Sequence, residues 1–198
     1  MAAESGSRGV SKQRLDALTD GVFAFAMTLL VISLDLPTGA QVTNVPQLLA
    51  ALADLQDNLL VYVISFAVLG ARWIRIAKDH ESDVWCSYGY AWAVIMHLFF
   101  ITLVPFSTKL VGHFGDLWPA VCIYAANTIL AALSSWRVAI LLARHEGGRK
   151  PAASLDLILL IATALLSCGI AFVAPGNGMY AYLLNGASPL LHRMRHRA

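Results

Sequence analysis

Long apolar segments separated by short polar connections form the dominant pattern of this chain. A helix needs about 20 mainly apolar residues to cross a bilayer. The pattern predicts six such spans, over residues 15–36, 58–73, 84–106, 117–142, 155–173 and 179–191, with a short amphipathic helix over 47–57. We therefore predict an all-α membrane protein with one six-helix transmembrane domain over 14–191. A mobile polar tail, 1–13, precedes this domain, and a basic tail, 192–198, follows it.

Composition and charge support this interpretation and orient the helices. The chain is 58% hydrophobic and 13% charged, whereas a soluble domain is about 25% charged. If six spans alternate across the membrane, thirteen of the 14 Lys and Arg lie on one side and Lys109 lies alone on the other. Positively charged loops stay in the cytoplasm. We therefore predict that both termini are cytoplasmic.

The first span has two chemically different faces. Asp16 and Asp20 stand four residues apart on one face, and carboxylates are costly to place against hydrocarbon. We expect this face to point into the protomer, towards Arg72, Arg75 or Arg137. At about 100° per residue, the opposite face forms an uninterrupted apolar stripe of Leu18, Val22, Phe25, Leu29, Ile32 and Leu36. Taken alone, this stripe indicates helix packing or lipid contact as readily as it indicates a pore.

The start of the first span carries a motif, in which Arg14 is followed after three residues by Leu18-Thr19-Asp20. Together with Pro105-Phe106 at the predicted end of span three, it resembles the prokaryotic relatives of the endolysosomal potassium channel transmembrane protein 175. Their hallmark is an arginine, three residues and Phe-Ser-Asp. The similarity covers about the first 115 residues. The chain departs from the pattern where relatives carry a histidine (here Ile76-Ala77) and an asparagine (here Val94).

The resemblance implies a potassium-permeable cation channel, in which four copies place the first helix around a pore. Carried over residue by residue, it implies a hydrophobic constriction at Phe25, Leu29 and Ile32. Thr28 either offers its hydroxyl to the pore or bonds back to its own helix. The motif residues Arg14, Leu18, Thr19 and Asp20 would anchor the helix. The expected partners are further copies of the chain, lipid and permeant potassium, without a cofactor, in a bacterial inner membrane.

Other function classes find less in the sequence. A small proton-coupled transporter or carrier is the alternative, but the spans offer His97 as almost their only mid-membrane ionisable group; we expect it to pack with a hydrogen bond. No catalytic Ser/His/Asp set, paired histidines or metal-ligand spacing supports an enzyme, a haem protein or a metal site. The basic tail, 192–198, suits anionic lipid and gives no support for nucleic-acid binding.

Polar and sulfur-containing side chains inside the spans complete the predictions. Cys86, Cys122 and Cys168 lie far apart in or beside apolar segments. Their spacing shows no disulfide framework, and we predict that they act as small packing residues. In span four, Asn127 and Ser134 should form hydrogen bonds across helices.

Overall fold

The computed structural model describes residues 9–35, 42–77, 85–145 and 155–187. These residues form an α-helical protein with one two-residue strand pair. In chain order the elements are β1 (Val10–Ser11), α1 (Lys12–Ile32), α2 (Val45–Asp54), α3 (Gln56–Ala77), β2 (Trp85–Cys86), α4 (Tyr88–Thr102), α5 (Val104–Phe114), α6 (Trp118–His145), α7 (Leu155–Val173) and a 3-10 helix (Pro175–Ala187).

Four helical segments are long and apolar enough to cross a membrane. They are Lys12–Ile32, Gln56–Ala77, the combined α4 and α5 from Tyr88 to Phe114, and Trp118–Arg144. They coincide with the first four predicted spans. The fifth predicted span has the same bounds as α7, which is a shorter apolar helix than these four. The predicted end of the sixth span lies outside the described residues. The mostly helical membrane fold is therefore confirmed.

The third span differs from its prediction, because the helix does not end at Pro105. The chain bends at Leu103 and continues as α5 to Phe114. Pro105 lies in the first turn of α5, where its missing N–H removes no helical hydrogen bond and its fixed φ suits the helix. The proline therefore starts a second helical segment.

The predicted sixth helix is also different, because a 3-10 helix begins at Pro175 in place of an α-helix at residue 179. Close packing onto α6 and α7 shapes this segment. A Cβ atom on Gly178 would lie 2.8 Å from Cγ1 of Val121, so only glycine fits. Further along, Asn185 donates a 2.9 Å hydrogen bond to Thr163 Oγ1 of α7, and Tyr182 meets Tyr124 of α6 edge to face.

The last residues of the predicted mobile tail, 1–13, form regular secondary structure. Val10 and Ser11 pair antiparallel with Cys86 and Trp85, and α1 already begins at Lys12. Backbone hydrogen bonds between the strands fix the entry into α1 next to the start of α4. Residues 1–8 of the tail and the whole basic tail lie outside the described residues.

The cysteine prediction was wrong for two of the three residues. Cys122 of α6 and Cys168 of α7 form a disulfide with Cα atoms 5.0 Å apart. The two residues are 46 positions apart, on different helices, so sequence spacing cannot reveal that the helices bring them together. Cys86 is buried and takes no part in this disulfide, which agrees with the predicted packing role.

Two buried clusters hold the helices together. The first joins α1, α3 and α4 and includes Phe23, Leu69 and Ile101. The second joins α3, α5, α6, α7 and the 3-10 helix and includes Tyr124 and Ala164. α1 belongs to the first cluster along one face only, and this leaves its other face outside the core.

A buried hydrogen-bond network links three of these helices. The hydroxyl groups of Ser65 in α3 and Tyr124 in α6 lie 3.0 Å apart, and Thr108 of α5 donates to Ser65 Oγ at 3.0 Å. Asn127 reaches Ser107 at 3.5 Å beside this network, which agrees with its predicted role between helices. Polar groups inside a membrane protein need such partners, because lipid offers none.

We expect Tyr124→Phe to lower the free energy of unfolding by about 1 kcal/mol, because it removes one interhelical hydrogen bond and leaves Ser65 partly unsatisfied. Reversible unfolding in mixed micelles measures this change. Tyr180→Phe is the matched control, because Tyr180 is 46% exposed and its change should stay within about 0.5 kcal/mol. Equal stability of the two variants would contradict the proposed contribution of the network.

Candidate functional site on the first helix

The apolar stripe of α1 lies on the surface of the protomer. Leu18, Phe25 and Ile32 are 46%, 64% and 68% exposed, and Val22 and Leu29 are half-buried. The opposite face carries the buried residues Lys12, Leu15, Thr19, Phe23, Ala26 and Leu30. Thus α1 packs by one face and presents a continuous apolar face on the other. The last stripe residue, Leu36, lies outside the described residues.

Thr28 lies on the exposed side of α1, between Phe25 and Ile32. Its hydroxyl donates a 2.8 Å hydrogen bond to the carbonyl of Phe25. This is the backbone contact that was one of the two sequence alternatives. A hydroxyl that donates its proton retains its oxygen lone pairs, so the exposed oxygen can still accept from water or contact a cation.

The motif residues divide between the two faces of α1. Thr19 is buried and donates to the carbonyl of Leu15 at 2.8 Å. Asp20 accepts a 2.9 Å hydrogen bond from the indole Nε1 of Trp73 in α3. Arg14 and Leu18 are exposed. The structure therefore joins α1 to α3 through Asp20 and leaves the first two motif residues on the surface of the protomer.

The two carboxylates of α1 have contacts that the sequence analysis did not name. Asp16 forms a 3.0 Å salt bridge with Lys12, one turn earlier in the same helix, and Asp20 meets Trp73. Of the three arginines named as candidate partners, Arg72 donates to the carbonyl of Ala131 in α6. The contact of Asp20 with Trp73 agrees with the expectation of a partner on a neighbouring helix.

A small polar cavity of about 70 Å³ lies behind α1, between α1, α3, α4 and α6. Lys12, Asp16, Arg75 and His97 are among its lining residues. His97 is 3% exposed, and its Nδ1 lies 3.1 Å from Ser134 Oγ. Because Ser134 donates its own proton to a backbone carbonyl, Nδ1 carries the hydrogen of this contact. The predicted hydrogen-bonded packing role of His97 is confirmed.

The C-terminal end of α1 is tied to α5 by a cluster that the sequence analysis missed. Asp35 lies 3.3 Å from Lys109 Nζ and 2.6 Å from His113 Nε2. The other ring nitrogen of His113 lies 3.0 Å from the carbonyl of Lys109. The hydrogen bond from Lys109 holds the pKa of Asp35 below its ordinary value, and the charges of Lys109 and His113 act in the same direction.

A groove of about 400 Å³ runs between α1 and α5 beside this cluster. Leu29 and Ile32 of the stripe lie on one wall, and Pro105, Phe106 and Phe114 are on the other. The structure therefore brings the Pro-Phe segment next to the C-terminal half of the stripe. Within the described ranges, no group of three or more His, Cys, Asp or Glu side chains is arranged to hold a metal ion.

Comparisons with known proteins agree on one family. The family model for the endosomal/lysosomal potassium channel TMEM175 matches residues 14–105. A potassium channel of Chryseobacterium sp. (strain P1-3) is 27% identical over 140 residues, which cover 70% of this chain and 68% of the relative. A potassium channel of Chamaesiphon minutus is 30% identical over 101 residues, which cover 51% of this chain and 49% of the relative.

A solved structure shares the fold over nearly the whole chain. It is the crystal structure of a lysosomal potassium-selective channel TMEM175 homolog from Chamaesiphon minutus. The superposition has a TM-score of 0.74 and 23% sequence identity, and it covers 94% of this chain and 98% of the solved chain. The similarity of fold therefore extends well beyond residue 105, where the family model ends.

We expect the carboxyl group of Asp35 to titrate below its ordinary pKa of about 3.9. Because folding lowers this pKa, the contact between α1 and α5 contributes stability above pH 3.9 and loses it as the pH falls through the folded value. The ¹³Cγ shift of Asp35 against pH measures the midpoint. Lys109→Gln should raise it towards the ordinary value, and His113→Gln should raise it less. An unchanged midpoint in Lys109→Gln would contradict this assignment.

Proposed function

We propose that this chain, whose residues 14–105 match the family model for the endosomal/lysosomal potassium channel TMEM175, is a potassium-permeable cation channel of that family. One observation carries the proposal: α1 has a buried face with polar anchors and an uncovered apolar stripe, of which Phe25 is 64% exposed and Ile32 68% exposed. A helix with this division can surround an axis together with its symmetry mates. We infer that the chain acts as a channel and not as an enzyme.

The proposed assembly is a homotetramer, with α1 of each copy on the central axis. Within one protomer, Leu18, Phe25 and Ile32 are 46%, 64% and 68% exposed, and an equivalent stripe from each neighbour would enclose them. The relatives are channels of similar fold, and this supports an assembly that can form a pore. Potassium would be the permeant ion, and no cofactor is required for this activity.

We further propose six spans with both termini in the cytoplasm of a bacterial inner-membrane protein. Thirteen of the 14 Lys and Arg then lie inside, in agreement with the positive-inside preference. The disulfide gives separate support. In this topology the first turns of α6, with Cys122, and the last turns of α7, with Cys168, lie near the outer surface. Disulfides persist in the oxidising periplasm and not in the cytoplasm.

Phe25, Leu29 and Ile32 would form successive hydrophobic rings along the axis. Their spacing of four and three residues places them about 6 and 4.5 Å apart along the helix. A narrow apolar passage can close to ions by expelling water. The large exposed ring of Phe25 would make the tightest of these rings, and Thr28 would add a hydroxyl oxygen beside it.

The motif residues would hold this helix at its inner end. Asp20 accepts a hydrogen bond from Trp73 of α3, and the buried hydroxyl of Thr19 donates one to the carbonyl of Leu15 within α1. Arg14 and Leu18 lie on the exposed side, where they would meet a neighbouring copy. The anchor would thus act partly within a protomer and partly between protomers.

A proton-coupled carrier remains the alternative, and His97 would be its proton-binding group. A carrier needs such a group to exchange protons with each side of the membrane in turn. His97 is instead 3% exposed and donates from Nδ1 to Ser134 between α4 and α6. The uncovered stripe of α1 has a direct use in a channel and none in this carrier. We therefore favour the channel.

We expect Phe25→Ala to raise single-channel conductance or open probability by several-fold, because the constriction becomes wider and easier to wet. Planar-bilayer recording measures both quantities. Phe99→Ala is the matched control, since Phe99 is a similarly exposed phenylalanine on α4 and its loss should leave conduction unchanged. Conductance and open probability equal to those of the unsubstituted protein would contradict the position of the constriction.

Reconstituted protein should carry potassium into proteoliposomes faster than sodium. The flux of each ion in turn is measured without valinomycin, and protein-free vesicles serve as the control. Native mass spectrometry of the same sample should show four copies of the 21.4 kDa chain. A folded tetramer that carries neither ion would contradict the channel, and a conducting protein of another stoichiometry would contradict only the tetramer.

A further inference from the structure

Helix α2, between α1 and α3, is well specified by its sequence. The side chain of Asn44 caps it by accepting a 3.0 Å hydrogen bond from the backbone N–H of Gln47. The Gln47 side chain in turn accepts from the backbone N–H of Thr43 at 2.9 Å. This arrangement resembles a capping box, except that the Gln47 side chain accepts from Thr43, one residue before the N-cap; Pro46 in the first turn favours the same start. The helix therefore has a defined start and a defined orientation of its faces.

None of the ten residues of α2 is buried, although one side of the helix is strongly apolar. Val45, Leu48, Leu49 and Leu52 are 70%, 43%, 62% and 48% exposed. At about 100° per residue, these four residues lie within one stripe, which we call the α2 stripe. Gln47, Ala50 and Asp54 lie on the opposite side. Four large apolar side chains on one short helix need a cover, because water disfavours such a surface.

The position of α2 along the chain indicates what this cover is. α2 ends at Asp54, and only Leu55 separates it from α3, which begins at Gln56. α3 is long and apolar enough to cross a membrane, so α2 is held at the level of the bilayer surface. A helix with one apolar and one polar side at this level lies in the interface, with its apolar side among the acyl chains.

The composition of the α2 stripe favours lipid over a protein partner. Protein interfaces rely on Trp, Tyr and Arg, and Leu and Val are under-represented among the residues that dominate their binding energy. The stripe contains only Val and Leu. The helix also carries no Lys or Arg, so its attachment needs no anionic headgroup.

We propose that α2 is an interfacial lipid-binding helix, whose stripe of Val45, Leu48, Leu49 and Leu52 inserts among the acyl chains of one leaflet. The inference is independent of ion conduction. It gives the connection from α1 to α3 a membrane attachment of its own, between the helix with the proposed pore stripe and the helix that holds Asp20 through Trp73.

Spin labels on single cysteines test this proposal in phosphatidylcholine vesicles. Leu49→Cys and Leu52→Cys place the label on the stripe, and Ala50→Cys and Asp54→Cys are the matched controls on the polar side. Power saturation compares collision with oxygen, which concentrates in lipid, and with a nickel chelate, which stays in water. Labelling of the unsubstituted protein measures the background from Cys86, which is buried.

We expect oxygen accessibility to exceed nickel accessibility several-fold at residues 49 and 52 and the reverse at 50 and 54. The pattern should persist when a third of the lipid is phosphatidylglycerol, because apolar burial and not charge drives insertion. Exclusion of both reagents with an immobilised label at 49 and 52 would overturn the proposal in favour of a contact with a second copy. A preference for nickel at all four positions would overturn it in favour of a water-exposed helix.

Discussion

A carboxylate placed against hydrocarbon is too costly to persist without partners, and this constraint fixes the rotation of α1. Asp20 accepts from Trp73 of α3, and Asp16 with its partner Lys12 lines the cavity between α1, α3, α4 and α6, so the face that carries both carboxylates turns towards the other helices. Since the helix is rigid, the apolar stripe on the other side must then face outwards. The exposure of Phe25 follows from the contacts of carboxylates that lie earlier in the same helix.

The two ends of α1 are held by polar contacts and its middle by close packing. Asp20 meets α3 in the N-terminal half of the helix, and Asp35 meets Lys109 and His113 of α5 just beyond the C-terminal end. Between them, Phe23 and Leu30 are fully buried in the first cluster. Such a helix has little freedom to rotate, because rotation would break both polar contacts and expose the buried ring. A moving part would therefore have to lie in the side chains of the stripe or in tilting of the whole helix.

Periodicity and charge predicted the features that depend on a single helix and its solvent. The membrane class, the first four spans and the two faces of α1 follow from which residues tolerate hydrocarbon, and local sequence contains that information. The features that sequence missed depend on which helices become neighbours. The disulfide between Cys122 and Cys168 spans 46 residues, and the contact between Asp35 and Lys109 spans 74.

The departures from the family pattern meet in one place, and the structure suggests how the chain accommodates them. Val94 and Ile76, which stand where relatives commonly carry polar residues, both line the small cavity behind α1. His97 follows Val94 by three residues and therefore faces the same side of α4. Arg75 directly precedes Ile76. His97 and Arg75 also line the cavity. His97 and Arg75 thus bring polar groups to the cavity beside Val94 and Ile76. Because His97 is held by Ser134 of α6, the cavity in this chain is supported from the side opposite α1.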